Sequence, residues 1–178
     1  MNDLCVLGRG LIGGAIREIA SKLDLSQPDY SFFDNRDLTN EDELTELHQN
    51  NPSKVYINAM GISTGMQGVM PNPFSTFINN TQIGVNPINV LAYISPNIDR
   101  YISILTSCSY PDSVDPLEEK DFLNGLPHPT IQSHAYAKRN TFLAGKFASE
   151  QGASPCFGYV LNNTFGIRDK FENGKIVG

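Results

Sequence analysis

Six residues near the amino terminus, Gly8-Arg9-Gly10-Leu11-Ile12-Gly13, have the spacing G-x-G-x-x-G, whose chemistry is the cradling of a pyrophosphate. The first glycine allows a tight turn, the second lets the backbone approach phosphate oxygens, and the third lets a helix pack closely on a strand. Asp34 follows about 20 residues later, where an acid can bind the ribose 2′-hydroxyl of NAD. Arg36, together with Arg9, offers the other choice: a guanidinium presents several fixed donors to the 2′-phosphate of NADP. NADP is the favoured dinucleotide and NAD the alternative. Far downstream, His134 and Lys138 stand at i and i+4, so on a helix they share a face, and an imidazole is a competent proton donor near neutral pH.

These groups need a scaffold, and the flanking patterns supply one. Leu4 to Leu7 is a short apolar run that meets glycine at once, and Leu11 to Leu23 carries apolar residues at helical spacing. Asp29 to Asp34 reads as a second strand, and Thr39 to Glu43 then provides a helix cap with acids in the first turn. Lys54 to Asn58, Tyr101 to Leu105 and Cys156 to Leu161 read as three more strands with helical stretches between most of them. Strands alternating with helices predict an α/β fold with a doubly wound parallel sheet, formed as one domain over residues 1–178. Gly61 to Pro73 and Ser109 to Ser133 are predicted loops, and they leave the carboxyl ends of strands, where ligands bind in such sheets. By the same rule Asp37, Leu38, Asn58, Ala59, Gly61, Leu105 and Asn163 are expected to line the cofactor.

Composition narrows the classes of function. Hydrophobic residues make up 40% and charged residues 18% of the chain, which is enough for a packed core. A net charge of −6 with no Lys/Arg cluster argues against a nucleic-acid partner. No apolar run approaches a membrane span, and Arg9 interrupts the first apolar stretch too early for a signal peptide, so a cytoplasmic protein is expected. The three cysteines lie at long spacings that fit neither a disulfide framework nor a metal site; Cys5 and Cys156 read as small core residues. His48 and His128 read as surface polar residues.

Four stretches of the second half resemble the GDP-L-fucose synthase family of extended short-chain dehydrogenases. Thr106-Ser107-Cys108-Ser109-Tyr110-Pro111 resembles S-[ST]-C-I-[FY]-P, and Pro116 to His128 resembles the loop that follows it. His134-Ala135-Tyr136-Ala137-Lys138-Arg139 is similar to a Y-x-[YI]-A-K-R helix start, and Asn163 to Phe171 is similar to N-x-[FY]-G-P-x-D-N-F. The resemblance implies a Rossmann-type fold, NADPH as cofactor, and epimerisation then reduction of a GDP-4-keto-6-deoxy sugar. It further implies that Thr106 hydrogen-bonds the ketone, that Cys108 is the epimerisation acid or base, and that Lys138 binds the nicotinamide ribose. Ser107, Asn163 and Lys175 would then face the sugar nucleotide.

Two positions depart from that pattern. The family's proton-donating tyrosine lies four residues before the lysine, where this chain has His134; Tyr136 is two residues from Lys138 and points about 200° away on a helix. The family's second epimerisation histidine corresponds to Lys175. Family members also continue well past Gly178, so most of the sugar domain is expected to be absent. A dinucleotide-binding module with impaired catalysis is the competing expectation, and a related enzyme acting on another nucleotide sugar is a third. A sheet cut before its last elements keeps a bare edge, so a homo-oligomer is expected.

Overall fold

The computed structural model describes residues 1–29, 39–62, 71–94, 97–113 and 115–166. Strand β1 (Asn2–Leu7) leads through the glycine loop into helix α1 (Leu11–Lys22). Helix α2 (Glu41–Asn50) starts at Asn40, whose side chain accepts from Asp42 N at 2.9 Å, and three acids follow in its first turn. Strand β2 (Ser53–Asn58), helix α3 (Pro73–Pro87), strand β3 (Arg100–Thr106), helix α4 (Gln132–Glu150) and strand β4 (Cys156–Leu161) complete the order. Helix α3 runs on as a π-helical segment, Ile88–Ile94.

All four strands are parallel, in the order β1-β2-β3-β4. Each coincides with one of the apolar runs predicted to be strands. The remaining one, Asp29 to Asp34, lies past Asp29 outside the described residues, as do Asp34, Arg36, Asp37, Leu38 and Lys175. Helices cover both faces. On one, Leu4 and Val6 of β1 with Val55 and Ile57 of β2 meet Ile16 and Ala20 of α1. On the other, Cys5, Leu7, Tyr56 and Tyr101 pack against Leu44 and Leu47 of α2, the π-helical segment, and Ala144 and Ala148 of α4. Each wholly buried leucine there contributes roughly 1.5–3 kcal/mol.

Each predicted loop ends a residue or so earlier than expected. Pro73 is the first residue of α3, a place that suits proline because the missing N–H has no helical acceptor to lose. The loop after β3 contains single 3₁₀ turns at Ser107–Ser109, Glu119–Asp121 and Pro129–Ile131, and α4 begins at Gln132. His48 is not a free surface residue: it is half-buried, and its Nδ1 lies 2.8 Å from the hydroxyl of buried Tyr56.

Candidate dinucleotide site

Because the strands are parallel, the glycine loop, the turn after β2, the 3₁₀ turn after β3 and the segment after β4 all emerge at one edge of the sheet. The glycine loop is built by contact. Gly8 has φ of 103°, and a Cβ there would sit 2.9 Å from the carbonyl carbon and oxygen of Ala59. A Cβ on Gly13 would run into the carbonyl oxygen of Gly8. Both positions therefore exclude any larger residue for reasons of packing. Gly10 differs: a Cβ there would meet no atom of the described residues within 4 Å. Gly10 is also the N-cap of α1, and no side chain caps that end. Among the described residues no side chain caps the N–H groups of this first turn, at the positive end of a helix of 12 residues, which suits an anion.

The turn after β2 links this loop to α4. Ala59 N donates to Leu7 O at 2.9 Å, and the Asn58 side chain accepts from Met60 N at 3.0 Å while donating to Ile83 O at 2.8 Å. Asn58 is buried, so its amide faces inward and shapes the turn. Lys138, also buried, donates from Nζ to Met60 O and Ile104 O, each at 3.1 Å. Burial pushes its ammonium pKa down to about 8. Ser109 Oγ donates to Ala135 O at 3.3 Å, which ties the turn after β3 to the first turn of α4. Thr106, Cys108, His134 and Lys138 are thereby gathered around one end of β3.

Within that cluster, Thr106 Oγ1 accepts from Cys108 N at 3.3 Å, and Ser107 Oγ donates to Asn162 Oδ1 at 3.2 Å. Cys108 is a partly buried free thiol. Asn163 is exposed, with its N–H turned to Asn162 Oδ1 at 2.9 Å. Leu105 is buried and a Cβ on Gly61 would meet no atom of the described residues within 4 Å, whereas a Cβ on Gly166 would lie 3.2 Å from Leu11 Cδ1. The chain after β4 therefore returns across the sheet edge to the glycine loop.

His134 behaves differently from the sequence expectation of a donor at neutral pH. Burial, with the Lys138 charge beside it, pushes its pKa down to about 4, so at pH 7 the ring is neutral. Its Nδ1 is buried and has no hydrogen-bond partner among the described residues. A neutral imidazole is a far weaker acid than imidazolium. Tyr136 faces elsewhere, lining an open cleft of about 590 Å³ with Phe77 and Pro129 between the starts of α3 and α4.

Two supporting residues were not identified from sequence. Asn80 is wholly buried on α3, and its side chain both accepts from Ile62 N and donates to Ile62 O, each at 3.0 Å. Arg139 is buried and spans three carbonyls, Ser109 O at 2.7 Å, Gly125 O at 2.9 Å and Asn124 O at 2.8 Å, which pins the long loop after β3.

Comparison with known proteins agrees with this geometry. The profile of the NAD dependent epimerase/dehydratase family matches residues 8–177. GDP-L-fucose synthase of Dictyostelium discoideum is 26% identical over 170 residues, covering 93% of this chain and 52% of the relative. GDP-L-colitose synthase of Yersinia pseudotuberculosis is 26% identical over 144 residues, covering 76% of this chain and 44% of the relative. In structure, the GDP-L-fucose synthetase of Naegleria fowleri bound to NADP superposes with a TM-score of 0.80 at 24% identity, over 96% of this chain and 53% of that one. The chain spans about half the length of the relatives it matches. The glycine loop, the parallel sheet and a family match that runs through both make this chain a member of the NAD dependent epimerase/dehydratase family.

Proposed function

We propose that residues 1–178 form one dinucleotide-binding domain of a GDP-sugar epimerase/reductase of the GDP-L-fucose synthase type, with NADP as its cofactor. The observation that carries this reading is the open space over Gly10 at the uncapped start of α1, facing the same sheet edge as Thr106 and Lys138. NADPH, when bound, supplies a hydride. The chain's own part is to hold the dinucleotide through Gly8 to Gly13, with Arg9 and Arg36 on a 2′-phosphate, and to present Lys138 to the nicotinamide ribose. Thr106 would orient a substrate carbonyl and Cys108 would exchange a carbon-bound proton. Ser107, Asn163 and Lys175 would contact the nucleotide sugar. The reading includes a cytoplasmic, self-associating protein; among the described residues no helix is long and apolar enough to cross a membrane.

A second reading, a binding module whose reductase chemistry has lapsed, is favoured by His134. General acid catalysis typically supplies 10²- to 10⁴-fold, and a ring that stays neutral down to about pH 4 cannot deliver it as imidazolium. The test follows NADPH absorbance with GDP-4-keto-6-deoxymannose for the wild type and His134→Tyr. Faster turnover by the tyrosine variant supports the lapsed site. Brisk wild-type turnover that the substitution abolishes makes His134 the working acid.

A further inference from the structure

One row of side chains crosses the whole sheet and takes no part in the dinucleotide site. The strand registers place Cys5 of β1 opposite Tyr56 of β2, Tyr56 opposite Tyr101 of β3, and Tyr101 opposite Cys156 of β4. Register partners in a parallel sheet share a face, so these oxidisable groups stand side by side at strand spacings of about 4.8 Å. Cys5, Tyr56 and Tyr101 are wholly buried, and Cys156 packs against the same cluster. Cys156 alone of the row is partly exposed, and it lines a cleft of about 300 Å³ with Lys146 and Ser149.

Members of the row differ in what they can do with a proton. Cys156 Sγ donates to Ser154 O at 3.3 Å and burial pushes its thiol pKa up, so it stays protonated and is a poor nucleophile toward two-electron oxidants. Losing a hydrogen atom to a radical needs no thiolate. Burial holds the Tyr101 phenol above its ordinary range; Asn58 beside it is an amide rather than a base, and no hydrogen bond satisfies the hydroxyl among the described residues. It therefore has no group to take its proton as an electron leaves. Tyr56 has one. Its hydroxyl lies 2.8 Å from His48 Nδ1, and burial pushes the His48 pKa down, which keeps that ring neutral and able to accept. His48 also stands in the last turn of α2, where the negative end of the helix favours an imidazolium.

We propose that the Tyr56 and His48 pair is a radical sink for this row: a thiyl radical, formed at Cys156 by a diffusible one-electron oxidant, is reduced by an electron from Tyr56. The electron crosses roughly 10 Å, two strand spacings, past the Tyr101 ring. The Tyr56 O–H bond breaks and its proton forms an N–H bond on His48 Nδ1, while Cys156 takes a proton from water in its cleft and regains its thiol. What remains is a neutral phenoxyl and an imidazolium. Oxidation at Cys156 then stops short of the irreversible sulfonic acid. None of this depends on the cofactor or on the family.

The test creates the thiyl radical at one sulfur. In a Cys108→Ser chain, Cys156 is S-nitrosated at mildly alkaline pH, buried Cys5 being shielded from the reagent, and light then splits the S–N bond into a thiyl radical and nitric oxide. Electron paramagnetic resonance after freeze-quenching should show a phenoxyl that is lost in Tyr56→Phe and kept in Tyr101→Phe. His48→Phe should abolish it too, and sulfonic acid should accumulate at Cys156 in mass spectra. Flash photolysis of the chain with His48 intact adds a readout that needs no further substitution: phenoxyl formation should be slower in heavy water, because the O–H bond breaks with the transfer. No phenoxyl at all, a phenoxyl that persists in Tyr56→Phe, one that vanishes in Tyr101→Phe, or equal rates in light and heavy water each overturn the proposal.

Discussion

Substituting alanine at Gly8 and at Gly10 should produce opposite phenotypes, because the two glycines answer to different constraints. At Gly8 the backbone is left-handed, with φ of 103°, and an added methyl carbon would stand 2.9 Å from the carbonyl of Ala59. The strained conformation costs about 1–3 kcal/mol and the forced contact about as much again, so a loss of roughly 3 kcal/mol is expected. For a domain of this size that lowers the melting temperature by about 6–12 °C. At Gly10 the added methyl meets no atom of the described residues within 4 Å. Alanine is a poorer N-cap than glycine by about 0.5–1 kcal/mol, but it also restricts the unfolded chain by a similar amount, and the two offset. Gly10→Ala should therefore melt within about 2 °C of the wild type. Its methyl occupies the space through which phosphate would approach the N–H groups of α1, so NADPH affinity should fall about tenfold or more. Differential scanning calorimetry and isothermal titration on the two variants make the comparison. A Gly10→Ala chain that melts as low as Gly8→Ala, or that binds NADPH like the wild type, would refute the assignment of that open space to a ligand.

Further outcomes follow from the same geometry. Because the folded chain holds His134 near pKa 4 while the unfolded chain titrates near 6.5, the unfolded state binds the extra proton between those values. Stability is complete above about pH 6.5 and is lost as pH falls toward 4, by at most about 3 kcal/mol. His134→Gln should flatten that slope, as read from urea midpoints at pH 5 and pH 7. Lys138 has the complementary effect at high pH: its ammonium is disfavoured by burial, so wild-type stability should rise between about pH 8 and pH 10.5, and Lys138→Met should remove the rise. GDP-mannose should bind the chain much more weakly than NADPH does, since the groups at the sheet edge suit a dinucleotide; micromolar affinity in calorimetry would show that the loops after β2 and β3 are a sufficient sugar-nucleotide site.

The parts of this molecule that sequence reveals are those governed by local periodicity. The apolar runs at Leu4–Leu7, Lys54–Asn58, Tyr101–Leu105 and Cys156–Leu161 are strands because branched and aromatic residues suit a pleated surface packed against helices. The glycine spacing is legible for a similar reason: close approach leaves room for one residue type only. Asn58, Asn80 and Arg139 are less legible. Their work is to satisfy carbonyls and N–H groups that are distant in sequence, such as Ile83 O, Ile62 and Gly125 O, and one-dimensional spacing carries no trace of such partners. His134 shows the same limit in its electrostatics. Its position beside Lys138 can be read from i and i+4, but the burial that keeps its ring neutral is a property of the packed fold.

The central claim is that the sheet edge around Gly8 to Gly13 holds a dinucleotide with a preference for the 2′-phosphate form. Isothermal titration of the chain with NADPH and NADH, repeated on Arg36→Ala, tests it most directly. NADPH should bind the more tightly, and that preference should erode by about 1–3 kcal/mol when the guanidinium is removed, the range for a charge-assisted hydrogen bond. Equal affinity for the two nucleotides would contradict the NADP assignment, and binding of neither would contradict the site itself.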